Sequence, residues 1–143
     1  MPRQKSALLL IAAGAAVAVG IACSSATSPL LTGPYVGVYA MDSVHAAALA
    51  TAGVPNGTLD SADGVFGTLV LKKDSFYISL TGTFARRDSG SFSISGSSVW
   101  TLSGTLFSGQ GSGALVGNQL ELNLAGGAAL GPLYGLFTKV NLP

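Results

Sequence analysis

The residues Gln119-Leu120-Glu121-Leu122-Asn123-Leu124 put three leucines on one side of an extended backbone and three polar groups on the other. A strict period of two has no helical solution, because a helix needs its apolar positions three and four residues apart. The pattern recurs along the chain. Phe76, Ile78 and Leu80 alternate with Tyr77, Ser79 and Thr81; Phe92 and Ile94 alternate with serines; Trp100 and Leu102 alternate with Thr101 and Ser103. Residues 65–71 read as a further strand whose second face, through Phe66 and Val70, is partly apolar.

Turn chemistry sets the order of these segments. Lys72-Lys73-Asp74-Ser75, Gly96-Ser97-Ser98 and Gly117-Asn118 separate neighbours by two to four residues, and loops that short join antiparallel hairpins. The expected strands are residues 35–44, 65–71, 76–84, 90–95, 99–106, 112–116, 119–124 and 133–140. Eight antiparallel strands in sequential order can close on themselves and so remove both sheet edges. The expected fold class is all-β, an antiparallel up-and-down barrel of about eight strands. A membrane-spanning barrel is the alternative, but it needs outward apolar bands on strands of ~9–11 residues. Most of these segments are shorter, with Ser/Thr-rich outer faces. The exception to the β pattern is residues 45–52, where Ala46-Ala47-Ala48-Leu49-Ala50 favours a short helix or lid before a loop over 53–64.

Upstream, Arg3 and Lys5 precede an apolar run over residues 7–21, which ends at small residues and the single cysteine, Cys23. That is the tripartite order of an export signal. The run falls short of the ~20 apolar residues that span a bilayer comfortably, which makes a retained membrane helix the lesser alternative. Gly20-Ile21-Ala22-Cys23 resembles the lipobox of bacterial lipoproteins, with Gly20 where that motif usually has Leu. The resemblance implies a diacylglycerol thioether on Cys23 and an acylated N-terminus after cleavage. More than one acyl chain makes such an attachment stable. Ser24, by the same analogy, implies sorting to the outer membrane, on its periplasmic face or at the cell surface. The other reading of Cys23 is a passive residue beside an ordinary cleavage site.

The expected organisation is a signal helix over 1–22, a Ser/Thr/Pro/Gly tether over 23–34 and one domain over 35–143. The mature part of about 120 residues suffices for a modest core without disulfides. One cysteine permits neither an intrachain disulfide nor a thiolate cluster. Past the signal, five basic residues face six acidic ones, so no clustered basic face offers itself to nucleic acid.

Several short motifs resemble the small lipocalin-like lipoproteins of bacteria. They are Gly37-Val38-Tyr39, Asp42-Ser43-Val44, Gly67-Thr68-Leu69-Val70-Leu71, Ser75-Phe76-Tyr77-Ile78, the run from Ser89 to Gly96, and Phe137-Thr138-Lys139. The resemblance covers roughly residues 35–140 and implies a lipocalin-like barrel. It also implies an aromatic residue on the first strand packed on a basic residue late in the chain. Tyr39 or Tyr35, with Lys139, stand where that family usually has Trp and Arg. On the residues alone, Lys139 reads equally well as a solvated charge at a strand end.

No catalytic constellation emerges. His45 is the sole histidine, and it lacks the nucleophile and orienting carboxylate that catalysis would require within reach. Asp60 and Asp63 lie in an Asx-rich loop without the ligand order of a calcium site. Gly109, Gly111 and Gly113 read as a flexible hairpin turn, since no helix or Lys follows to make a phosphate loop. Arg86-Arg87-Asp88 reads as a charged turn. The expectation is a non-enzyme without cofactor or metal. Phe76, Ile78, Phe92, Trp100 and Leu122 would line an apolar ligand cavity if the barrel interior is open; otherwise they are packed core. Two functions follow: a lipid-anchored envelope barrel holding a small apolar ligand, or a structural or interaction module of an envelope assembly with a filled core. The sequence names no protein partner.

Overall fold

The period-two segments pair with their neighbours in sequence, and the last returns to the first. The computed structural model describes residues 32–96, 98–125 and 130–141; the expected signal segment, Cys23 and the tether through residue 31 lie outside them. The strands are β1 (Gly37–His45), β2 (Thr58–Asp60), β3 (Val65–Leu71), β4 (Ser75–Gly82), β5 (Arg86–Ser95), β6 (Val99–Ser103), β7 (Ser108–Val116), β8 (Gln119–Ala125) and β9 (Leu133–Lys139). Their order in the sheet is β2-β1-β3-β4-β5-β6-β7-β8-β9, and β1 also pairs with β9. Eight strands therefore close an antiparallel up-and-down barrel, with β2 as an extra strand. This is the expected fold class.

Alternation decides which side chains point inward. On β8, Leu120, Leu122 and Leu124 are buried while Gln119, Glu121 and Asn123 are exposed. On β1 the parity slips once. Tyr39 and Met41 are inside, but so is Val44, because the register against β9 shifts between Met41 and Ser43. An extra residue in one strand of a pair makes such a bulge, and here it keeps an apolar side chain inward on both sides of the irregularity. Asp42 stays outside and accepts a hydrogen bond from the Thr138 hydroxyl on β9 at 2.7 Å.

β1 divides one edge between two partners. Its first half, Gly37 to Ala40, pairs with β3, and its second half, Ser43 to His45, pairs with β2. The three residues of β2 thus cover the stretch of β1 that β3 leaves. Leu59 at their centre is fully buried. The expected short helix is present as α1 (Ala47–Thr51). Five residues cannot hold a helix by propensity. Buried Leu49 and the hydrogen bonds Ala46 N–H to Gly57 O (2.9 Å) and Val54 N–H to Leu49 O (3.0 Å) fix it instead.

The meander gives the barrel two unlike ends. At one lie the tight turns after β3, β5 and β7; Gly117, with φ 62°, takes the first place of the two-residue loop after β7, where L side chains are strained. At this turn end the chain also arrives, as the single turn Gly33–Tyr35 ahead of β1. The Thr32 hydroxyl donates to Lys73 O at 2.7 Å, tying the arriving chain to the turn after β3. At the opposite end lie α1, β2 and the loops after β4, β6 and β8.

Three expectations are corrected, the first being that residues 53–64 form a loop: they hold β2 between two single turns. β7 starts at Ser108, so Gly109, Gly111 and Gly113 belong to a strand and not to a flexible turn. Arg86-Arg87-Asp88 opens β5 and is not a turn, and Asp88 is only 6 % exposed.

Candidate functional site

The five side chains expected to line a cavity all point into the barrel. Phe76, Ile78, Phe92, Trp100 and Leu122 are each buried to within 2 % of full coverage. Trp100 shows how the space between them is used. Its indole meets the Phe92 ring at a centroid distance of 5.2 Å and the Tyr35 ring at 4.7 Å, edge to face. Its other side lies against Gly113: a Cβ there would stand 2.5 Å from the indole. Gly113 therefore leaves room on the inward face of β7, and a tryptophan from β6 takes it, whereas Gly111 lies against the β8 backbone at Asn123. Close-packed interiors are built from such large-against-small pairs. Tyr35, on the turn that precedes β1, closes the turn end over Trp100.

Near the opposite end the interior is polar at one point. Asp88 has the same parity as Phe92 and Ile94, and it faces inward with them. Its Oδ1 accepts from the Thr105 N–H (2.9 Å) and hydroxyl (2.8 Å), and its Oδ2 from the N–H groups of Leu106 (2.8 Å) and Phe107 (2.7 Å). Burial by itself pushes this carboxyl up. The hydrogen bonds from Phe107, Thr105 and Leu106 outweigh it and hold the group below its ordinary range. All of its partners are donors in the loop between β6 and β7, so its role is to fold that loop inward over the barrel, carrying buried Phe107 with it.

The remaining polar residues are accounted for locally. His45 is exposed, with Nδ1 2.9 Å from the Thr58 hydroxyl across the β1–β2 pair. Asp60 caps the single turn Ser61–Asp63 by accepting from the Asp63 N–H at 3.0 Å, and Gly64 follows it with φ 77°. Among the described residues, no three His, Cys, Asp or Glu side chains gather where they could hold a metal ion.

Outside the interior, a recess of about 290 Å³ opens beside α1, lined by Val54, Pro55, Leu59, Val65 and Phe84, with Asp63 and Thr83 at its edge. None of the five residues expected around a cavity contributes to it. Its volume falls just under the ~300–1,000 Å³ typical of small-molecule pockets. Sequence reading passed over this recess because its walls come from three separate loops and strands that no local pattern joins. Asp88 was more accessible: counting back by two from Phe92 places it inside.

The chain matches no protein-family model, no curated protein and no solved structure.

Proposed function

We propose that this chain is an exported, lipid-anchored β-barrel of the bacterial cell envelope that acts through its outer surface, as an interaction module or accessory subunit of an envelope assembly. The interior is not its binding site. The observation that carries this reading is the seating of Trp100 between Phe92, Tyr35 and Gly113, which fills the interior around the indole with the protein's own side chains. Anchoring rests on the charged, apolar and small-residue order that ends at Cys23, with sorting to the outer membrane following from Ser24. The lipocalin-like kinship is part of the same proposal. It is supported by the Lys139 ammonium lying over the Tyr39 ring, the aromatic–basic contact that the family resemblance implies. No catalytic role is assigned.

A second reading has one observation in its favour. The recess beside α1, where Val54, Pro55, Leu59, Val65 and Phe84 meet Asp63 and Thr83, suits a small amphipathic ligand held at the barrel's rim instead of within it.

Metabolic labelling with radiolabelled palmitate tests the anchor. The wild-type protein is expected to incorporate label and to fractionate with membranes, and Cys23→Ser to incorporate none. Label retained in Cys23→Ser, or absent from wild type, contradicts the proposal.

A further inference from the structure

The turn end of the barrel carries exposed valines and lysines at its strand termini. Val36 precedes β1, Val99 opens β6, Val116 ends β7 and Val140 follows β9, so the antiparallel order brings all four to the same end. They are 42 %, 43 %, 76 % and 40 % exposed. Single exposed valines need no explanation. Four of them at strand termini of one end set that end apart.

Charge follows the same geography. All three lysines among the described residues lie at this end: Lys72 and Lys73 on the turn after β3, and Lys139 at the close of β9. Asp74 lies on that turn and Glu121 is the third residue of β8 from the same end, whereas Asp60, Asp63 and Asp88 lie toward the opposite end, as do Arg86 and Arg87. The chain arrives here as well, because Thr32 is bonded to Lys73. Cys23 stands nine residues before Thr32, a span of at most roughly 30 Å at ~3.3–3.6 Å per residue.

We infer that the turn end is a lipid-contacting face, resting on the phospholipid bilayer that holds the anchor. This rests on the anchor reading above. Exposed valines fit the boundary between headgroups and acyl chains, and exposed Lys72 and Lys73 fit anionic headgroups. The tether makes the contact effectively intramolecular, so a modest patch suffices where a free protein would need a larger one. The α1 end, with its recess, then faces away from the membrane.

The test uses the acylated mature protein in vesicles of phosphatidylethanolamine and phosphatidylglycerol, where acylation blocks Cys23. An environment-sensitive fluorophore is placed through Val116→Cys at the turn end, or through Ala85→Cys on the exposed loop after β4. The Val116→Cys label is expected to shift to the blue and to be quenched by brominated acyl chains, and the Ala85→Cys label to do neither. Vesicle-bound protein whose two labels emit alike overturns this inference and leaves the anchor standing. Protein that carries no lipid and does not float with vesicles overturns both. A blue shift that brominated chains do not quench means that a protein partner or a second copy covers the valines, and it overturns the inference too.

Discussion

The Lys139 ammonium stands 5.9 Å from the centroid of the Tyr39 ring, across the seam where β1 meets β9. The two residues are register partners there. Tyr39 is fully buried, and its hydroxyl donates to Tyr35 O at 2.7 Å. Burial first, and the neighbouring Tyr35 second, push the Tyr39 phenol above its ordinary range, so it remains a neutral donor. One side chain thus links the closing seam of the barrel to the turn that covers its end.

Two substitutions separate those duties. Lys139→Met keeps the packed stem and removes the charge, for an expected loss of ~0.5–1 kcal/mol. Tyr39→Phe leaves the ring in place and removes the hydrogen bond to Tyr35, for an expected ~0.5–1.5 kcal/mol. Urea denaturation measures both. If Lys139→Met changes nothing, the lysine is an ordinary solvated charge.

The contact between Gly113 and Trp100 is the sharper test of packing. Gly113→Ala places a methyl against the indole and is expected to cost ~1–3 kcal/mol, the range for overpacking a filled core. In a Trp100→Phe background the same change should cost less, since the smaller ring vacates the space. A double-mutant cycle reads that coupling directly. Equal costs in both backgrounds mean the indole does not fill the space over β7.

Asp88 makes stability depend on pH in a definite direction. Its carboxyl is held lower in the folded chain than the ordinary value of ~3.9 expected when unfolded. The ionised form therefore stabilises the fold fully above that ordinary value, and the contribution disappears as pH falls through the folded one. Asp88→Asn puts an amide that both donates and accepts where four donors converge. The expected cost near neutral pH is at least about 1.5–3 kcal/mol, the worth of a hydrogen bond to a charged group. Urea midpoints measured from neutral to acid pH should show the gap between variant and wild type narrowing below about pH 4. A constant gap removes Asp88 as its source.

Tyr35 predicts a spectroscopic change. It is partly buried and meets Trp100 edge on, and Trp100 is the chain's one tryptophan. Tyr35→Ala should cost ~0.5–1.5 kcal/mol beyond lost area, shift the Trp100 emission to the red and admit acrylamide. Unchanged emission means the turn end is closed by something other than Tyr35.

The strands were legible because burial on one face writes period two directly into the residues. Leu120, Leu122 and Leu124, or Phe76, Ile78 and Leu80, admit no other reading. What escaped was everything set by a partner distant in sequence. β2 has three residues, too few to show alternation, and exists because β3 leaves part of β1 uncovered. The glycines of β7 read as a loop because the partners that require them, the indole on β6 for Gly113 and the β8 backbone for Gly111, are distant in sequence. The bulge at Asp42 leaves only a slip of parity between Met41 and Val44. Asp88 follows two arginines and so reads as a surface charge, although its parity places it inside. The five residues proposed as a cavity wall do face one another; whether a wall is also a filling depends on volumes that alternation does not encode.

Trp100 also reports on the central claim. Purified mature protein titrated with a brominated or fluorescent fatty acid should show no saturable quenching of Trp100, because the interior around the indole is already occupied. Saturable one-to-one quenching, with Trp100 emission restored by competing unlabelled fatty acid, would show that the barrel opens to a ligand and would contradict the account.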